Sequence, residues 1–174
     1  MISVKPVDEA LAVALEEQLV REFQVVSSIY ESVQAERIAL AQGDGARLEA
    51  VMGLKEALLD EWAVLDDARR CLTQQIAALA GLPEPSASIL QILTCFEKAP
   101  AARLARLRDG ILAQMDAIRG LTQGNQTLAQ SALERNQALQ AFILDLLRPP
   151  ASYGPSGGLT ALDYAPPIGV DQQT

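Results

Sequence analysis

Apolar positions recur at alternating steps of four and three along most of the chain, the spacing of one helix face and not of a strand. The first stretch reads Leu15, Leu19, Glu22, Val26, Ile29, Val33, Glu36, Leu40. The second reads Leu48, Val51, Lys55, Leu58, Trp62, Leu65, Arg69, Leu72, Ile76, Leu79. A step averaging about 3.5 residues is the heptad of a coiled-coil seam. A third, short stretch puts Ile89, Ile92, Leu93 and Phe96 on one side. The fourth is the longest: Leu104, Leu107, Ile111, Gln114, Ile118, Leu121, Asn125, Leu128, Ala132, Arg135, Leu139, Phe142, Leu146.

Gly43-Asp44-Gly45, the run Gly81 to Pro85, Pro100 and Pro149-Pro150 divide this pattern. They predict helices over about 7–41, 46–80, 88–98 and 101–147, all within a bundle spanning 1–148. Asp8 can cap the first helix and Ser86 or Ser88 the third, and Pro100 is expected to break or kink the chain before the fourth. Gly110, Gly120 and Gly124 each cost ~1 kcal/mol of helix propensity. The register survives across them, which predicts one helix with a soft region at 120–124, spanning ~70 Å if fully helical. The fold class expected is all-α: an elongated antiparallel bundle of long helices with coiled-coil-like packing and a flexible C-terminal tail.

Two charged residues interrupt each of the first two seams, and they fall in register. Glu22 and Glu36 are separated by the same interval as Lys55 and Arg69. The pairs Glu36–Lys55 and Glu22–Arg69 share one index sum, as facing residues of an antiparallel hairpin must. Half-buried pairs of this kind fix helix register. The alternative is that all four lie at the seam edge and snorkel to water. Asn125 on the fourth seam is either a register device or a polar group satisfied by a neighbour.

Composition then removes most chemistry. The chain has 174 residues and no histidine, so there is no Ser-His-Asp or Cys-His nucleophile site and no His metal ligand. The carboxylate pairs Glu16-Glu17, Asp60-Glu61 and Asp66-Asp67 are adjacent, and adjacent residues diverge by about 100° on a helix. Gly154-Pro155-Ser156-Gly157-Gly158 lacks the strand–helix setting of a phosphate loop. The expectation is a protein that is not an enzyme and uses no cofactor and no metal. A formal net charge of -8 argues against nucleic acid as partner. The whole imbalance falls in residues 1–87; residues 88–174 are neutral.

Cys71 and Cys95 read as small apolar residues of a reduced protein, with a helix-joining disulfide as the lesser alternative. No stretch reaches the ~18 apolar residues of a membrane span. Met1 to Pro6 holds no apolar run of signal-peptide length, so a cytoplasmic location is expected. Residues 149–174 change character: five of the nine prolines, four of the eleven glycines and no Lys or Arg. They read as a flexible tail. Tyr153 and Tyr164 stand there as anchors for a partner pocket, or else fold back on the bundle.

Several of these residues carry a resemblance. Glu36-Arg37-Ile38-Ala39-Leu40, Gly43-Asp44, Leu48, Lys55, Leu58-Leu59 and Arg69-Arg70 resemble the first helical hairpin of FlgN-like flagellar type III export chaperones. Asn125-Gln126-Thr127-Leu128 is similar to that family's Asn-x-x-Leu in the last helix, and Tyr153-Gly154 with Gly157 to its Tyr-and-Gly element beyond it. The family's frequent second Asn, shortly before the matched one, is missing: Leu121 and Thr122 occupy that stretch.

The resemblance implies a cytoplasmic chaperone that binds hook–filament junction (hook-associated) proteins through their terminal helices. It would keep them unassembled and deliver them to the export gate. It implies export-gate docking at Tyr153. Leu139, Phe142, Ile143, Leu146 and Leu147 are the expected client-binding residues. The competing expectation is a structural coiled-coil adaptor, or a self-associating helical bundle, with no export role.

Overall fold

The computed structural model describes residues 8–82, 88–148, 152–153 and 159–160. Helix α1 runs Glu9–Gln42, α2 Gly45–Ala80, α3 Ile89–Leu93 and α4 Lys98–Leu146. Two two-residue strands, β1 (Ser152–Tyr153) and β2 (Leu159–Thr160), pair antiparallel, with Tyr153 opposite Leu159. The protein is an all-α helical bundle of long packed helices.

The tight turn after α1 explains why two long helices can fold back at once. Gly43 sits at φ 68 and ends α1 in the left-handed conformation that only glycine adopts without strain. The Asp44 backbone N–H returns to the Ala39 carbonyl at 3.0 Å, closing a Schellman motif. Asp44 then caps α2, its carboxylate accepting from Arg47 N at 3.0 Å. Gly81, at φ 70, repeats the device at the end of α2.

Two helix ends differ from the pattern-based expectation. The third helix does not reach 98: it stops at Leu93, and Thr94, Cys95 and Phe96 close with three-residue turns onto Gln91, Ile92 and Leu93. Ser88 starts it with a full capping box, Ser88 and Gln91 each bonding the other's backbone N–H. The fourth helix begins at Lys98, not after Pro100, so Pro100 lies within its first turn. The first turn has no intrahelical acceptor for its N–H groups, so a residue without an N–H loses nothing there. Periodicity alone could not separate a proline that ends a helix from one that opens it.

Residues Met1–Ala132 and Leu133–Thr174 form two compact units. In the first, α1 and α2 are antiparallel. Gln18 Nε2 donates to the Leu65 carbonyl at 2.7 Å, and Glu36 and Glu22 meet Lys55 and Arg69 on α2. Helix α4 runs parallel to α1. Arg103 Nε donates to Glu16, and Ser27 exchanges bonds with Gln114, both at a separation of 87 residues. The core lies between these helices. Leu15, Leu19 and Val26 of α1 pack with Ile76 of α2, Ile92 of α3, and Leu104 and Ile111 of α4. A second cluster, Val25, Ile29 and Val33, continues it against Leu58, Leu65, Ile118 and Leu121.

Not every glycine of α4 is required. A Cβ on Gly110 would stand 3.2 Å from the Phe23 ring, so α1 and α4 approach closely there. A Cβ on Gly120 would meet nothing within 4 Å. Gly120→Ala is therefore expected to stabilise the protein by about 0.5–1 kcal/mol, read as a higher midpoint in urea unfolding. An unchanged midpoint would mean the helix is not formed at 120.

Candidate interaction surfaces

Three places in the described structure concentrate polar or exposed apolar groups in an unusual way. The first is a half-buried polar junction among the three long helices. Lys55 Nζ of α2 donates to Glu36 Oε2 of α1 at 2.8 Å. Asn125 of α4, 2% exposed, donates its Nδ2 to the Val33 carbonyl at 2.9 Å and to the same Glu36 Oε2 at 3.3 Å. One carboxylate oxygen thus ties three helices to one register. Asn125 Oδ1 is buried without a partner. Any other axial setting of α4 would strand these groups away from their partners, and a stranded buried polar group costs about 1–3 kcal/mol. A double-mutant cycle on Glu36→Ala and Lys55→Ala should give a coupling of about 1 kcal/mol in urea melts. Zero coupling would mean the pair is only a surface contact.

The second place is Glu22, 3% exposed. Arg69 Nε donates to its Oε2 at 3.0 Å. The same guanidinium bonds Asp66 through Nη2, and Arg70 Nη2 reaches Asp66 Oδ2 at 2.7 Å. Asp66 was not legible as a partner from the seam pattern, because it lies off the heptad; its three-residue spacing from Arg69 was the available signal. Burial pushes the Glu22 carboxyl above its ordinary range, and Arg69 only partly offsets that, with Asp66 adding a smaller upward push.

A raised carboxyl binds its proton more tightly folded than unfolded. Its stabilising contribution is therefore present below pH ~4.5 and is lost as pH rises through the raised value. Compared with Glu22→Gln, the natural protein is expected to lose stability across that window. Urea midpoints from pH 4 to pH 7 check this; parallel curves for the two proteins would refute it.

The third place is the C-terminal part of α4. Every residue from Leu133 to Arg148 is exposed. Leu139, Phe142, Ile143, Leu146 and Leu147 fall on one helical face, and Phe142 is 59% and Leu147 73% exposed. Leu133 and Leu144 are also exposed, although the seam pattern did not single them out. Tyr153 stands in β1, with its side chain outside the described structure; Tyr164 lies outside the described residues altogether. Cys71 is exposed, Cys95 is buried, and both are free thiols.

Among the described residues there is no group of three or more His, Cys, Asp or Glu side chains able to hold a metal ion. No helix there is long and apolar enough to cross a membrane. No curated protein and no solved structure matches the chain. The family model described as FlgN protein matches residues 11–161, from the first turns of α1 to just past β2. That span takes in the Glu36–Lys55–Asn125 junction and the exposed face of α4, and the chain belongs to the FlgN family of flagellar export chaperones.

Proposed function

We propose that this protein is a cytoplasmic export chaperone for hook–filament junction proteins. It binds their terminal helices, keeps them unassembled and delivers them to the type III export gate. The observation that carries the reading is the apolar face of α4 formed by Leu139, Phe142, Ile143, Leu146 and Leu147. Monomeric proteins rarely leave a contiguous apolar patch of this kind uncovered, and an amphipathic client helix is the occupant that fits a helix face. A client segment that is disordered before assembly loses ordering entropy on binding. Its net affinity is lowered accordingly, so it can be held and released without an energy-consuming step.

Tyr153 is the residue we assign to gate docking. Tyr153→Ala should leave client binding intact while weakening capture of the gate component; an equal loss of both would assign Tyr153 to the bundle instead. The main test is co-purification with a junction protein that carries or lacks its terminal helix. Loss of binding on truncation supports the reading. Equal binding of both forms overturns it. The same apolar face could instead be covered by a second copy of the chain, as in a self-associating bundle or structural adaptor. Light scattering separates the two: a homo-oligomer that client does not dissolve favours self-association.

A further inference from the structure

The seam of α4 runs on past the residues that pack, and there it carries one charge. Every residue from Leu133 to Arg148 is exposed, and the seam reads Arg135, Leu139, Phe142, Leu146. Among the described residues Arg135 has no ion-pair partner. Asp145 stands at the edge of the same stripe, on the side to which Arg135 leans. Its partner within the chain, Arg148, is 3.7 Å away, and the two side chains are 78% and 82% exposed, so water screens that contact.

This arrangement is complementary to its own reverse. A second copy laid antiparallel, with a two-fold axis passing between Gln140 and Ala141, sets Leu139 against its partner's Phe142 and Leu146 against its partner's Arg135. Asp145 of each copy then falls on the same flank as its partner's Arg135, about 1.5 Å from it along the axis. Each end of the pair gains one ion pair, and no like charges meet in the seam. A parallel pair in register would instead put Arg135 against Arg135, which is repulsive.

We propose that the free protein pairs with a second copy of itself, antiparallel, through the 135–146 seam of α4, with two Arg135–Asp145 ion pairs setting the register. Two heptads bury less than the ~1,200 Å² of a lasting interface, so the pair is weak and exchanges. It covers the apolar face until a client helix takes its place, a consequence that rests on the client reading above.

Sedimentation equilibrium of the full chain, from micromolar to millimolar concentration, tests this. The natural protein should show a monomer–dimer equilibrium. Asp145→Arg and Arg135→Asp should each raise the dimer Kd about tenfold, because symmetry counts each change twice. Both positions are exposed, so these variants keep the fold. The double variant, with the charges exchanged, should return to within about threefold of the natural Kd. An equal mixture of the two single variants should dimerise where each alone does not.

A monomer at every concentration overturns the proposal, and so does an oligomer larger than a dimer. A dimer that Asp145→Arg leaves unchanged, or a double variant as weak as the single ones, overturns the antiparallel register. A junction protein carrying its terminal helix should dissolve the natural dimer. A dimer that persists with client bound overturns the shared face and leaves the self-pair standing, so the two readings fail separately.

Discussion

If the proposed client surface is right, Phe142→Ala should weaken capture of a junction protein by about tenfold or more while leaving the stability of the chaperone within about 0.5 kcal/mol of its natural value. The two halves of that expectation have one cause. Phe142 is 59% exposed, so the free protein loses little packing when the ring is removed. An aromatic side chain in the middle of an apolar helical face is the residue type that dominates binding energy when such a face is covered. Leu146 and Ile143 flank it on the same face and should show smaller losses. Isothermal titration with client, alongside urea melts of the free protein, reads both halves. A Phe142→Ala protein that binds client normally would move the client surface elsewhere on the chain. One that unfolds would assign Phe142 to packing.

Leu104→Ala should destabilise the protein by about 3 kcal/mol or more. Leu104 is fully buried, on the part of α4 that packs against Leu15 and Leu19 of α1 and Ile92 of α3. Truncation leaves a cavity among long helices that cannot close around it without shifting their shared register, which the Glu36–Lys55–Asn125 junction opposes. For a chain of this size the melting midpoint should drop by about 6–12 °C. Leu133→Ala, the same change on the same helix, should cost less than about 0.5 kcal/mol because Leu133 is 58% exposed. The contrast is the check: similar costs at the two positions would mean that the two stretches of α4 do not differ in burial as described.

Much of the bundle was readable because heptad spacing is a long signal. The first two helices, the turn at Gly43 and the Asp8 cap all follow from local rules that act within a few residues. The ends around Pro100 were less readable, since proline suits the start of a helix as well as its stop. The direction of α4 against α1 followed from the antiparallel hairpin, since α2 returns the chain to the start of α1 and α4 then runs back along it. Its axial register was not readable, and the bonds of Arg103, Gln114 and Asn125 to α1 fix it.

The exposed face at 139–147 was legible as an apolar stripe. Its exposure was not, because the stripe that packs in α4 up to Ala132 is written in the same spacing. The Glu22–Arg69 pair was readable from the seam, but Asp66, which shares that guanidinium, lies off it.

The parallel pairing of α1 with α4 has a consequence for how the chain folds. The ion pairs of the α1–α2 hairpin close loops of 19 and 47 residues, while the bonds between α1 and α4 span 87 to 92. Loop closure costs grow with separation, and non-local contacts form late. The hairpin should therefore assemble first, with α4 docking on a preformed surface. During synthesis that surface exists before most of α4 has been made. Asn125 arrives among the last of the junction's three helices, and its insertion beside Glu36 closes the core in its final register.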